Sequence, residues 1–322
     1  MSRDARKSVA QTLSRRYRVL AATGAAALAL AAAGCSSASA SGDAAGGQVV
    51  NAIGAENQYA NVLSQIGGRY VHVSSILDNP NTDPHTFEAS PAVASEVASA
   101  ALIVQNGVGY DSWISKMEAA APNPGRKVMI VQHLLDLPDS TPNPHLWYSP
   151  TTMPAAAKAM AADLSALQPA HQAYFRANLS NFDKSLLPWL NAIAQFKAKY
   201  AGVTAATTEP VADYLLQAMG IKNLTPFAFQ ADIMNGVDPS PQDISLETGF
   251  LTGHRVKVFC YNQQVVDALT TTIRNTALKA SVPVVGVYET MPTPGYTYQT
   301  WMLAEVHAIE KAITARTSTE RL

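Results

Sequence analysis

Cysteine, charge and long hydrophobic runs are all scarce in this 322-residue chain. Cys35 and Cys260 are its two cysteines, which excludes a disulfide framework and a multi-cysteine zinc module. Charged residues make up 15% of the sequence, below the roughly 25% of an average soluble domain. The bases are also unevenly placed. Arg3, Arg6, Lys7, Arg15, Arg16 and Arg18 stand in the first 34 residues against one acid, Asp4. The remainder carries 17 bases and 23 acids, a net charge of −6. Such a body has no excess of positive charge for phosphates, so no nucleic-acid partner is expected. An HExxH-type helix motif is missing as well, which argues against a metallopeptidase. What remains is a core-forming chain long enough for two domains of roughly 150 residues each.

The longest apolar run, VLAATGAAALALAAA (19–33), follows the basic segment and ends at Gly34-Cys35. Basic, apolar and small-residue blocks in that order form an export signal, expected here over 1–34. Fifteen residues fall short of the ~20 that a membrane-spanning helix needs. Ala32-Ala33-Gly34-Cys35 resembles a bacterial lipobox with Ala32 in place of the usual Leu, which implies acylation of Cys35. An ordinary cleaved signal with Cys35 incidental is the alternative. Ser14-Arg15-Arg16 also resembles a twin-arginine signal, although a chance arginine pair in a basic segment looks the same. Residues 36–48 (SSASASGDAAGGQ) have almost no large apolar side chain, so 35–48 is expected to be a flexible tether behind the lipid anchor.

Beyond the tether, short apolar runs alternate with amphipathic stretches, the pattern of βα units. Candidate strands are VVNAI (49–53), YVHVSSIL (70–77), ALIVQNG (101–107) and KVMIVQ (127–132), with helices over 57–66 and 91–100. Ser90-Pro91 supplies an N-cap and a first turn for the second of these. A second series contains VTAAT (203–207), KVFCYN (257–262) and VPVVGVY (282–288), with helices near 209–219, 264–279 and 297–314. Between the two series, Phe175, Leu179, Phe182, Leu186, Leu190, Ile193 and Phe196 keep one helical face. Thirty residues of helix would be about 45 Å long. Pro188 falls inside and is expected to bend or break it. The fold expected is α/β: two small lobes, 49–167 and 201–322, joined by one long rigid backbone helix over 168–200. A core helix followed by a second one is the alternative.

Of the seven histidines, His72, His133, His171, His254 and His307 have ordinary strand, turn or helix surroundings. Two others share a motif. Asp83-Pro84-His85 and Asn143-Pro144-His145 lie 60 residues apart, each followed by an aromatic segment and a Ser-Pro. Proline restricts the backbone before each imidazole, and the Ser-Pro starts a helix, so each ring is held on a stiff loop at a sheet rim. Two fixed neutral imidazoles make half of a metal site. A Pro-His pair alone is also a common dipeptide.

Four segments in order carry a family resemblance. NPNTDPHTFEASPAVASEVASAALIVQNGVGYDSWISKM (79–117), NPHLWYSP (143–150), TTEPVADYLLQAMG (207–220) and VPVVGVYETMPTPGYTYQTWM (282–302) resemble the metal-binding lipoproteins of zinc, manganese and iron ABC importers, cluster A-I. The likeness runs over about 49–314. It implies a metal site in the interlobe cleft with His85 and His145 from the first lobe and Glu209 and Glu289 from the second. The fourth position is more often Asp in the family, and Glu209 stands where zinc members frequently have His. By themselves, Glu209 reads as an acid at a helix N-terminus and Glu289 as a solvated loop end. Two nitrogens and two carboxylates suit a first-row divalent ion better than Ca²⁺ or Mg²⁺.

Departures from the family are visible too. The His-rich loop of many zinc members is absent from 118–142, and Asn143 replaces an Asp that orients a ligand imidazole. Cys260, in an apolar strand, reads as a small buried hydrophobe. Trp147, Tyr148, Tyr298 and Trp301 read as core or as walls of the site. The resemblance implies a monomeric, lipid-anchored receptor outside the cytoplasmic membrane, not an enzyme. It would pass Zn²⁺, favoured slightly over Mn²⁺ or Fe²⁺, to an ABC permease with a cytoplasmic ATPase. The rivals are a same-fold receptor for a metal chelate such as a siderophore, and a metallohydrolase with Glu88 as base.

Overall fold

A computed structural model describes residues 49–81 and 83–322. The expected export signal (1–34), acylation of Cys35 and tether (35–48) lie outside the described residues. Among the described residues no helix is long and apolar enough to cross a membrane.

The first half runs β1 (Val50–Glu56), α1 (Asn57–Gly67), β2 (Val71–Leu77), α2 (Pro91–Ser99), β3 (Leu102–Gln105), α3 (Ser112–Ala120), β4 (Lys127–Ile130), α4 (Val131–Leu134) and α5 (Thr152–Leu167). The strands form one parallel sheet in the order β2-β1-β3-β4. Inner strands of such a sheet are covered on both faces, and β3 is accordingly an unbroken buried run. Gly54 lets β1 and α1 approach closely: a Cβ there would lie 2.2 Å from the Ala60 backbone nitrogen. Helices α3 and α5 are additions to the sequence reading, their apolar pattern diluted by alanine and serine.

The segment expected as one helix over 168–200 starts at Gln172 and is built as α6 (Gln172–Ser185) and α7 (Leu187–Tyr200), which meet at Leu186. Leu186 keeps helical dihedrals. Its N–H donates to the Phe182 carbonyl at 3.2 Å, and its own carbonyl accepts from the Leu190 N–H at 3.0 Å. The interruption thus coincides with Pro188, which has no N–H to donate. Of the predicted face, Phe175, Phe182, Leu186, Ile193 and Phe196 are buried and Leu179 and Leu190 are partly buried, while Trp189, not among the expected residues, is buried beside them.

The second half repeats the topology of the first. It comprises β5 (Thr204–Thr207), α8 (Asp213–Ala218), β6 (Lys222–Asn223), α9 (Phe227–Met234), α10 (Pro241–Thr252), β7 (Val258–Asn262), α11 (Ala268–Lys279), β8 (Val284–Val287) and α12 (Tyr298–Ala315). Its sheet is parallel in the order β6-β5-β7-β8. Capping boxes at Asp267 and Thr297 start α11 and α12. Trp147, Trp189, Tyr298 and Trp301 are fully buried in one apolar cluster that draws on both halves. Burial of a large apolar side chain stabilises by roughly 1.5–3 kcal/mol. Cys260 is buried in β7, and burial pushes its thiol up out of the reactive range.

Candidate metal centre

Parallel strands present their C-terminal ends on one edge, where ligands of open α/β sheets bind. Each candidate residue sits on such an edge. His85 follows β2, His145 lies between α4 and α5, and Glu209 and Glu289 stand just past β5 and β8. Local hydrogen bonds shape both histidine loops. The Asp83 carboxylate accepts from the His85 N–H at 2.8 Å, and the Asn143 side-chain oxygen accepts from the His145 N–H at 3.0 Å. Helix α8 starts only at Asp213, so Glu209 belongs to the preceding turn rather than to a helix N-terminus.

Glu289 is the hub. Its Oε2 lies 3.2 Å from Nε2 of His85 and 3.2 Å from Nε2 of His145. The three donors form a compact group able to hold an ion. Glu209 lies just outside that group, with its Oε2 4.0 Å from the same His85 nitrogen. Two atoms bound to one ion at about 2.1 Å lie roughly 3.0–3.4 Å apart, so the 3.2 Å spacings fit a shared cation. The Glu209 Oε2 is buried without a hydrogen-bond partner, the condition of a donor awaiting a cation. His145, Glu209 and Glu289 are at most 1% exposed. The backbone of His85 is exposed, but its ring turns inward and is 26% exposed.

The tautomer of His145 follows from its neighbours. Asn143 donates from Nδ2 to the Pro210 carbonyl at 2.7 Å, which directs its Oδ1 at His145 Nδ1, 2.8 Å away. Nδ1 therefore carries the hydrogen, and Nε2 aims a lone pair at Glu289 Oε2. Two acceptors at that distance need a cation between them, either a proton or a metal. Burial opposes a charged His85, yet the hydrogen bond and charge of Glu289, with Glu209 and Asp83, push it up to about 9. Burial also works against an ionised Glu289, but the imidazoles of His145 and His85 outweigh it and hold the group well below the usual carboxylate range. Burial, then the charge of Glu289, raise Glu209 well above that range. The metal-free centre stores protons that a metal would displace.

Three contributors were not singled out in the sequence. Tyr110 donates to Glu289 Oε2 at 3.0 Å, and its ring stands edge-on between the imidazoles, 5.9 Å from each. Asn262, at the end of β7, donates to both carboxylates. Gln58 donates to the Glu289 carbonyl at 3.3 Å. Of the aromatic residues, Trp147 packs 5.4 Å from the His145 ring, while the Tyr148 hydroxyl bonds both the carbonyl and the N–H of Tyr288. The two halves are also tied by Asn57, whose amide pairs with the N–H and carbonyl of Met291, each at 2.9 Å. His72, His133, His254 and His307 are exposed, and His171 stacks on Tyr70. Glu88 is exposed on the surface.

Residues 55–312 match the family described as zinc-uptake complex component A, periplasmic (ZnuA). The manganese ABC transporter substrate-binding lipoprotein PsaA of Streptococcus mitis is 25% identical over 219 residues, 63% of this chain and 68% of its own. The fold is shared with the periplasmic zinc-binding protein TroA from Treponema pallidum, at a TM-score of 0.68 and 17% identity, over 84% of this chain and 100% of that one. It is also shared with the substrate-binding protein FpvC from Pseudomonas aeruginosa, solved in complex with Mn²⁺, at a TM-score of 0.67 and 21% identity, over 83% and 99%.

Proposed function

Because the chain belongs to the ZnuA family, we propose that it captures a divalent transition-metal ion with His85, His145, Glu209 and Glu289 and delivers it to an ABC permease. It is a metal-binding receptor of ABC metal uptake, not an enzyme. The observation that carries the ligand assignment is Glu289 Oε2, placed 3.2 Å from two imidazole nitrogens in a buried centre. Two carboxylates offset the charge of a 2+ ion leaving water, and two nitrogens make the set too soft for Ca²⁺ or Mg²⁺. Lobes 49–167 and 201–322 each supply half of the set, and 168–200 limits their relative motion. Cys35 would anchor the receptor by lipid to the outer face of the cytoplasmic membrane.

Zn²⁺ is the favoured cargo. A mixed nitrogen and oxygen site binds Zn²⁺ more tightly than Mn²⁺ by the Irving–Williams order. The relatives named for manganese make Mn²⁺ the competing choice. A bulky chelate fits poorly, since three of the four candidate ligands are buried and leave little open wall.

The test is a titration of metal-free protein with Zn²⁺ and Mn²⁺ in competition with a chelator of known affinity. One tight Zn²⁺ site, with Mn²⁺ micromolar or weaker, supports a zinc receptor. Equal affinities move the cargo to manganese, and no stoichiometric binding of either removes the four-ligand site.

A further inference from the structure

Asn262 occupies an unusual place among the buried polar groups. Its Nδ2 donates to Oε1 of Glu209 at 3.0 Å and to Oε1 of Glu289 at 2.7 Å, which uses both amide hydrogens. The orientation of the amide is fixed from the other side. Its Oδ1 accepts from the Gln264 N–H at 3.0 Å, so a flipped amide would lose that bond and face two carboxylates with an oxygen. The backbone is pinned as well, by donation from the Asn262 N–H to Thr208 Oγ1 at 3.0 Å. The residue is fully buried.

The consequence is a choice of oxygen. One oxygen of each carboxylate is held by the amide, and the other is left toward the imidazoles: Oε2 of Glu209, without a partner, and Oε2 of Glu289. We propose that Asn262 is a positioning residue that restricts Glu209 and Glu289 to one metal-binding oxygen each and thereby sets a four-coordinate, zinc-selecting centre. Two nitrogens and two oxygens complete a tetrahedron, the geometry Zn²⁺ prefers. An ion that seeks five or six ligands gains them from this residue set by taking a second oxygen from a carboxylate. The amide-bonded Oε1 must then divide its lone pairs between the ion and a buried donor, which weakens the hydrogen bond and costs roughly tenfold in affinity. Selectivity thus arises in the C-terminal half from a neutral side chain that never touches the ion.

This inference rests on the receptor reading above, and the experiment separates the two. Wild-type protein and Asn262→Leu, which is similar in size and has no donor, are titrated with Zn²⁺, Mn²⁺ and Co²⁺. The Co²⁺ adducts are examined by visible absorption, where a four-coordinate ion absorbs far more strongly than a six-coordinate one. Expected are an intense wild-type band, a weaker and shifted band in Asn262→Leu, and a Zn²⁺-over-Mn²⁺ affinity ratio reduced about tenfold. A strong band and ratio that persist unchanged in Asn262→Leu overturn the role of Asn262. A weak Co²⁺ band in wild type overturns the four-coordinate centre, whether or not the variant folds. If wild type binds none of the three ions one to one, the receptor reading itself fails and the inference with it.

Discussion

His85 and His145 follow the same short motif and each donates its backbone N–H to the side-chain oxygen of the residue two before, yet their surroundings differ. His145 is fully buried, its Nδ1 is held by Asn143, Trp147 packs against its ring, and Asn143 also grips the Pro210 carbonyl of the other half. The loop of His85 is held mainly by itself: Asp83 accepts from the His85 N–H, and Thr86 Oγ1 donates back to the Asp83 carbonyl at 3.0 Å. Its ring is 26% exposed. A repeated motif has therefore produced one buried, preset imidazole and one that faces the solvent side. In the proposed centre the first would serve the fold as much as the metal, and the second chiefly the metal.

Truncating each ring is the strongest way to break that comparison. Both His145→Ala and His85→Ala remove a ligand, so each should weaken Zn²⁺ by well over the ~100-fold upper end of outer-shell changes. The metal-free proteins should part company. His145→Ala leaves a cavity and removes the ring bond to Asn143, whose oxygen keeps only the backbone N–H, and should lower stability by roughly 2–4 kcal/mol. Above about pH 9, where the proton-linked contribution of His85 is gone, His85→Ala should change it by less than about 1 kcal/mol, as for other partly exposed positions. Denaturant melts of the two metal-free variants decide this, and equal destabilisation would remove the distinction.

The residues before the prolines sharpen it. Asn143→Ala frees the His145 tautomer and should cost roughly 10–100-fold in Zn²⁺ affinity. Asp83 touches only the backbone of its histidine, so Asp83→Ala should cost several-fold less in the same competition titration. Asn143 was visible in the sequence as a departure from the family's Asp, but its grip on Pro210 was not. The two Pro-His loops, the parallel halves and the connecting helix were legible because local pattern governs them. Glu209 and Glu289 were legible through resemblance only, since each taken singly looks like an ordinary surface acid. Asn262 was invisible for a topological reason. In the order β6-β5-β7-β8, β7 lies between β5 and β8, so its last residue falls between the acids that follow its neighbours. No spacing in the chain encodes that crossover.

Proton release offers a milder test. His85 is raised from 6.5 to about 9 in the metal-free centre, so it holds a proton at neutral pH that a metal must expel. Zn²⁺ affinity should rise about tenfold per pH unit on account of this group and level off above about 9. The raised Glu209 adds a second, separate release. Stability of the metal-free protein runs the other way. The contribution of a raised His85 is fully present below about 6.5 and is lost as pH climbs through about 9. Calorimetric titrations in two buffers of different ionisation enthalpy count the protons, and His85→Ala should release about one fewer.

The smallest expected effect concerns the group placed evenly between the two rings. Tyr110 stands 5.9 Å from each imidazole and donates to the one oxygen that both of them face. Tyr110→Phe keeps the packing of the ring and removes only that hydrogen bond. A hydrogen bond to a charged acceptor contributes roughly 1.5–3 kcal/mol, but a bound ion already satisfies much of the charge on Glu289 Oε2. The loss in Zn²⁺ affinity should therefore be no more than about tenfold, near the low end of that range. Because the hydroxyl serves the shared oxygen and neither histidine alone, Tyr110→Phe should weaken His85→Ala and His145→Ala by similar factors in double-mutant cycles. A coupling confined to His85 would mean that Tyr110 belongs to the solvent-facing ligand, and the preformed half of the centre would then consist of His145, Asn143 and the carboxylates held by Asn262.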